Sequence, residues 1–329
     1  MTVGEIDFLV LPAYQKKSAY QINYLPGVWI IAPSEKSVSV IYRYLKEIAS
    51  KYSPLRNQFI VVDASGHDDS ISYSVKRLEA KFSLDDIVLP DEISSECKLL
   101  TTMVENFEAY ADDKVPFRRN IMFAGTPGTG KTTAVTAVAQ AVLEAKGTII
   151  YVRSANFSRA YDLAARLAPA LVIIEDFDLL APDREQYGTN PVTATALNVL
   201  DGLLSKEGVL TLVTTNLLDH VDAAAKRAGR VDRGYEFKYP TKDMKLQLVD
   251  IHLRHYDIQI LSSDVYDAIR SVLDKDDVTG AMIESITRNA KQQAIAAMTK
   301  DVTIEHVQAA AGCVGVRSSK TASIGFDQK

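Results

Sequence analysis

Apolar runs of four to six residues alternate with helical periodicity through the middle of the chain. The run 120–123 leads into a helical pattern over 131–146, the run 148–152 into one over 159–167, and the run 171–174 into one over 193–204. A last run follows at 209–214. Strands without a polar alternate face, each feeding a helix, predict a parallel sheet buried on both sides. From about Thr241 to Ala311 the strand signals stop. Leu246, Val249, Ile251 and Leu253, then Ile283 and Ile286, then Ile295 and Met298 keep only helical spacing. The expected order is therefore an α/β subdomain over 118–240 and a helical subdomain over 241–312.

Residues 1–83 differ in character. Short β-like runs at 8–11, 28–31 and 59–62 surround one helical stretch, 37–51, which opens on a Ser N-cap and carries Val38, Ile41, Leu45 and Ile48 at three- and four-residue spacing. A polar turn covers 65–70. This pattern predicts a small α+β domain. Residues 84–117 read as a linker, and the small polar residues of 313–329 as a loose tail.

Composition and charge narrow the classes of partner. Hydrophobic residues make up 47% and charged residues 24%, which is globular usage. With 37 Lys and Arg against 42 Asp and Glu, the net charge is −5, and the basic residues at Lys16-Lys17, Arg118-Arg119 and Arg317/Lys320 are only small pairs. Nothing here forms the basic footprint that a nucleic-acid surface needs. Apolar stretches fall short of the roughly 18 residues of a membrane helix, and the first basic residue is Lys16, so neither an intrinsic membrane span nor a secretory leader is expected. Cys97 and Cys313 lack metal-ligand spacing and read as unrelated reduced thiols of a cytoplasmic protein.

The chemistry is concentrated at Gly125-Thr126-Pro127-Gly128-Thr129-Gly130-Lys131-Thr132, which fits the phosphate-loop pattern G-x-x-x-x-G-K-[ST] at every fixed position. Glycines let successive N–H groups wrap an anion, and the helix that follows, with Thr133 in its first turn, presents its positive end. Lys131 can reach β- and γ-phosphates, and the Thr132 hydroxyl can ligate Mg²⁺. The apolar run 171–174 ends in Glu175-Asp176-Phe-Asp178, carboxylates delivered to the carboxyl edge of a parallel sheet, where one can hold Mg²⁺ and a neighbour orient water. The run 209–214 closes on Asn216, which either positions water against a γ-phosphate or simply forms a turn. Arg227, Arg230 and Arg233 recur every third residue, either as a solvated basic helix end or as arginine fingers serving a neighbouring subunit's nucleotide.

Together these segments resemble the AAA family of ATPases over roughly 84–312. The loop is similar to its Walker A, 171–176 to its Walker B, 214–216 to sensor 1, and 222–233 to its second region of homology. The Glu175-Asp176 order, the segment 197–202 and the short stretch between 148–152 and 171–174 further resemble one branch, the translocase of the mitochondrial Rieske iron–sulfur protein. The resemblance implies that Lys131 and Thr132 bind phosphates and Mg²⁺, Glu175 takes the metal side and Asp176 polarises water. It also implies that Asn216 is sensor 1 and that Arg227 and Arg230 act in trans. Asp86 and Ile87 would line the adenine pocket, and Gly280 and Ala281 would form the lid motif that replaces a sensor-2 arginine. The Glu-Asp order leaves open which carboxylate activates water.

Two features depart from the pattern. The segment 156–161 lacks the family's aromatic-hydrophobic-Gly pore motif, so Phe157 and Tyr161 belong either to a pore or to the core. The Rieske translocase has an N-terminal membrane helix, and residues 1–83 carry no apolar run of that length, so an intrinsic anchor is not expected here. The resulting expectation is an ATP hydrolase that assembles as a homo-oligomeric ring of about six or seven subunits and remodels, unfolds or translocates a protein substrate of unknown identity, chaperone-like, bound through 1–83. The competing expectations are a nucleic-acid motor or loader and an ATP-gated assembly scaffold.

Overall fold

A computed structural model describes residues 2–3, 6–7, 9–12, 15–17, 22–24, 28–31, 33–64, 71–153, 157–180, 206–216, 233–258, 263–299 and 301–314. Contacts divide the chain into Met1–Arg56 and Asn57–Lys329. Among the described residues the first unit holds three two-stranded antiparallel pairs: β1 (Thr2–Val3) with β2 (Ile6–Asp7), β3 (Leu9–Pro12) with β6 (Val28–Ile31), and β4 (Gln15–Lys17) with β5 (Ile22–Tyr24). Helix α1 (Glu35–Lys51) follows. It begins earlier than the periodicity predicts, because Ser34 is the N-cap: its Oγ accepts from the Ser37 N–H at 3.1 Å.

The second unit is built on one seven-stranded sheet. In chain order its elements are β7 (Phe59–Ala64), β8 (Ile71–Lys76), α2 (Asp91–Glu105), α3 (Phe107–Asp112), β9 (Arg118–Gly125), α4 (Lys131–Glu144), β10 (Thr148–Val152), α5 (Phe157–Arg166), β11 (Ala170–Ile174), α6 (Phe177–Leu180), β12 (Val209–Thr215) and β13 (Arg233–Phe237). The strand order is β13-β9-β12-β11-β10-β7-β8, parallel throughout except for β8. Every residue of β11 and β12 is buried, as a sheet covered on both faces requires.

This sheet corrects two expectations and adds one strand. The run 59–62, assigned to the N-terminal domain, is β7 and pairs with β10 (Ile60 with Ile150, Val61 with Tyr151). It is as apolar as the other central strands, and Ile60, Val61 and Val62 are buried. Its place was hidden because it turns into an antiparallel neighbour, β8, rather than a crossover helix. Residues 84–117 are more than a linker: α2 buries Ile93, Cys97, Leu100, Met103 and Val104 in the same hydrophobic core as Val135, Val138 and Val142 of α4. Strand β13 had no sequence signal beyond alternation, since only Tyr235 and Phe237 are buried. The helical stretch expected at 193–204 and the tail beyond residue 314 lie outside the described residues.

A buried polar clamp joins α2, β9 and β13. Arg119 donates two bonds to the Glu96 carboxylate, Nη2 to Oε2 at 3.0 Å and Nε to Oε1, and Tyr235 OH donates to Oε2 at 2.5 Å. Burial by itself would push the Glu96 carboxyl up, but the bonds from Arg119 and Tyr235 and the charges of Arg119 and Arg233 outweigh it and hold it below the ordinary value. Glu96→Gln is expected to cost about 2–3 kcal/mol. That is less than the ~3–5 of a fully buried broken pair, because Arg119 keeps 24% of its side chain in water. Urea unfolding measures this. A depressed folded pKa contributes stability above the unfolded carboxylate value and loses it as pH falls through the folded one, so the gap between wild type and variant should narrow in acid.

After the sheet come α7 (Lys242–His255), α8 (Ser263–Leu273), α9 (Gly280–Ala296) and α10 (Ile304–Cys313). They enclose their own core, with Val249, Ile269, Ile283, Ile286 and Val307 at its centre. Thr241 and Thr279 cap α7 and α9 by accepting from the Met244 and Met282 N–H groups. Among the described residues no helix is long and apolar enough to cross a membrane.

Candidate functional site

The site begins where β9 stops. A Cβ on Gly125 would lie 2.3 Å from the Phe237 carbonyl oxygen, so only glycine lets β9 end against β13. Gly128, at φ 83°, stands against the lid: a Cβ there would come 3.0 Å from Thr279 Oγ1 and 3.2 Å from Ala281 Cβ. The Ala281 N–H donates to the Gly128 carbonyl at 3.1 Å, which ties the start of α9 to the loop. Gly130 is the N-cap of α4, whose first N–H groups therefore open onto the loop.

Lys131 is 7% exposed and folds back over this turn. Its Nζ donates to Gly125 O at 2.6 Å, to Thr126 O at 3.1 Å and to Asn216 Oδ1 at 3.0 Å. Burial pushes its pKa down, and the charges of Asp176, Asp178 and Glu175 recover only part of that, so it lies below the ordinary lysine value.

The carboxylates after β11 diverge. Asp176 sits at φ 47°, a left-handed conformation that Asp tolerates better than most residues. Its N–H donates to Thr214 Oγ1 at 3.0 Å, and its Oδ1 accepts from Asn216 Nδ2 at 3.3 Å. Asp178 Oδ1 accepts from Thr215 Oγ1 and from the Asn216 N–H, both at 2.9 Å. Burial acts to raise Asp178, but these bonds hold it below the ordinary carboxylate value. Asn216 is thus held through its main chain by Asp178 and through its amide by Lys131 and Asp176. This favours the positioned amide over the turn-former. Glu175 is drawn elsewhere: its Oε2 accepts from Tyr151 OH at 2.8 Å, and its buried Oε1 has no hydrogen-bond partner among the described residues.

A cavity of ≈ 880 Å³ runs from the loop to the lid, within the range of small-molecule sites. One end is lined by Pro127, Gly128, Thr129, Gly130, Lys131, Thr132, Thr133, Asp176 and Asn216, the other by Asp86, Ile87, Leu248, His252, Gly280 and Ala281. The Asp86 carboxylate closes a local turn, accepting from Ser83 Oγ at 2.6 Å. His252 is buried, which pushes its pKa down to about 4 and leaves it neutral near pH 7, and Phe82 meets its ring edge-on at 5.8 Å.

Most of the expected residues therefore converge. Thr126 lines a neighbouring cleft of ≈ 540 Å³ instead. Arg227 and Arg230 lie outside the described residues, and Arg233 starts β13, where its charge acts on Glu96. Phe157 and Tyr161 are fully buried, and Tyr161 OH shares a hydrogen bond of 2.8 Å with Thr211, so both are core residues and not pore residues. Sequence reasoning missed Tyr151 and His252, which carry no local signal. For Asp178 the only local signal is its place in the carboxylate cluster after β11.

The donor set at the loop suits Mg²⁺, which takes hard oxygens and is commonly held by one or two carboxylates plus substrate phosphates. Thr132 and Asp176, which both line the cavity, carry such donors, whereas Glu175 is not among its lining residues. Among the described residues no three His, Cys, Asp or Glu side chains converge into a closed metal cage.

Comparison with known proteins gives a consistent result. Residues 121–239 match the model of the ATPase family associated with various cellular activities (AAA). The chain is 27% identical to the 26S proteasome regulatory subunit 6A of Saccharomyces cerevisiae over 253 residues, 72% of this chain and 57% of that one. It is 28% identical to the ATP-dependent zinc metalloprotease FtsH 2 of Thermoanaerobacter (52% and 36%) and 26% identical to the Cell division cycle protein 48 homolog of Archaeoglobus fulgidus (69% and 33%). It thus spans little more than half, or less, of the length of these relatives. The matched residues contain the phosphate-loop pattern, the carboxylates after β11, Asn216, most of β9 and strands β10 to β13, and over them this chain is similar to AAA ATPase domains.

Proposed function

We propose that the chain hydrolyses ATP, taken up with Mg²⁺, by transferring the γ-phosphoryl group to water. The observation that carries this is the convergence of Lys131, Asn216 and Asp176 within hydrogen-bond reach at the mouth of a phosphate loop. In the reaction Lys131 exchanges its loop carbonyls for β- and γ-phosphate oxygens, the Asn216 amide orients the attacking water and Asp176 polarises it. Thr132 and Glu175 would hold Mg²⁺, which when bound would neutralise charge on the phosphates. Asp86, Ile87 and His252 receive the base, and Gly280 and Ala281 couple the lid to the loop.

Arg227 and Arg230 complete the site from a neighbouring copy in a ring of about six or seven subunits. Hydrolysis then moves the helical lid against the sheet to remodel or translocate a protein engaged by residues 1–83, in the cytoplasm. Relatives named as a proteasome regulatory subunit and a Cdc48 homolog support protein remodelling. The Glu175-Asp176 order supports placement with the Rieske-protein translocase branch.

Phosphate release measured against protein concentration tests the shared site, with specific activity expected to fall on dilution. Arg230→Ala should bind ATP within about twofold of wild type and lose at least ~10³-fold in turnover, and mixing with Asp176→Asn subunits should restore part of it. Turnover per chain that is constant on dilution, together with an unimpaired Arg230→Ala, would overturn the proposal.

A further inference from the structure

Asn216 stands where the sheet stops guiding the chain. Strand β12 makes its last pairs with β11 at Val213–Ile174 and with β9 at Thr215–Ala124, so Asn216 is the first residue beyond the ladder. Hydrogen bonds of two kinds hold it there. Its side-chain amide meets Lys131 Nζ and Asp176 Oδ1, the groups that the ATPase reading sets to work on phosphate and on water. Its main-chain N–H donates to Asp178 Oδ1 at 2.9 Å, and the same oxygen accepts from Thr215 Oγ1 at 2.9 Å. This second hold uses no group that the reaction draws away. Asp178 is itself rooted, since Phe177 before it is buried and the Asp176 N–H donates to Thr214 Oγ1 at 3.0 Å. The turn after β11 is thus tied to Thr214, Thr215 and Asn216 in succession.

We propose that Asp178 is a positioning residue: its carboxylate fixes the main chain of Asn216, so that the amide keeps its place when Lys131 leaves it for the phosphates. The inference rests on the ATPase reading above and assigns to Asp178 a part in the same site. Asn216 and Lys131 line the cavity and Asp178 is not among its lining residues, so Asp178 acts through Asn216. A reacting group displaced by about 1 Å can cost roughly 10²-fold in rate, which is what an unanchored main chain at Asn216 would permit. A carboxylate suits the task, because one oxygen can accept two bonds at once and bonds to an ionised acceptor are the stronger kind. The Asp178 charge also acts on Lys131, and the length and the charge of the side chain can be varied separately to tell the two effects apart.

The test measures phosphate release by the full chain over a range of ATP concentrations at saturating Mg²⁺. Asp178→Ala should lower kcat by about 10- to 100-fold and shift KM by less than about threefold. Asp178→Asn keeps an acceptor oxygen at the same reach and should hold kcat within about threefold of wild type. Asp178→Glu keeps the charge but sets the oxygen one methylene further out, and should lose about tenfold or more. Combining Asp178→Ala with Asn216→Ala should lower kcat no further than Asn216→Ala alone, because the carboxylate acts only through that residue. A purely structural Asp178 would lower the thermal midpoint and leave kcat of the folded variant where it was, which would overturn the positioning role. Losses that multiply in the double variant would do the same. So would an active Asp178→Glu beside an inactive Asp178→Asn, since charge and not position would then govern the rate. That last comparison decides by itself if Asp178→Ala does not fold. All three of these outcomes leave the ATPase reading intact, whereas a wild-type chain that releases no phosphate would overturn both.

Discussion

Lys131→Ala should abolish useful ATP binding, with the dissociation constant rising by about 10²-fold or more in calorimetric titration. The estimate follows from the bonds at stake. A charge-assisted hydrogen bond contributes about 1.5–3 kcal/mol, and two of them to phosphate oxygens amount to roughly two to four decades of affinity. In this structure the same ammonium bonds to Gly125 O, Thr126 O and Asn216 Oδ1. Its removal therefore also frees the Asn216 amide and leaves Glu175, Asp176 and Asp178 without the cation on which all three act. Each of these effects disfavours an incoming polyanion. A variant that keeps its thermal midpoint but binds ATP within threefold of wild type would show that the loop does not hold phosphate.

The second large effect is expected in turnover and not in binding. Asp176→Asn keeps the shape, keeps a residue tolerant of the left-handed φ of 47°, and removes only the charge proposed to polarise water. ATP affinity should remain near that of wild type while the single-turnover rate falls by about 10²- to 10⁴-fold. Alanine at the same place would confound this by removing the partner of the Asn216 amide. Glu175→Gln provides the contrast: its oxygen is committed to Tyr151, so its loss should appear first in the cation requirement. If Glu175→Gln abolished hydrolysis and Asp176→Asn kept full turnover, the two carboxylates would have exchanged the roles assigned to them. The geometry that favours Asp176 is its contact with Asn216, which in turn contacts Lys131.

Much of the site was legible before any coordinates because its chemistry is local in the chain. A loop that must wrap an anion needs glycine at fixed steps, and 125–132 shows them; a buried strand that delivers carboxylates needs an apolar run followed at once by acids, and 171–178 shows that. The helical subdomain was legible for the same reason, since its periodicity repeats within each helix. Tertiary structure alone decided what depends on partners distant in sequence. Whether 59–64 belongs to the large sheet was settled by its pairing with 149–152, some ninety residues on. That Glu175 and Asp176, adjacent in the chain, serve different partners was settled by Tyr151 on one neighbouring strand and Asn216 on the other. The burial of Phe157 and Tyr161 came from a helix laid across β10, β11 and β12. Spacing along the chain determines which groups are available. Which of them meet is set by strand order, because a parallel sheet brings together edges whose residues have no covalent reason to be near one another.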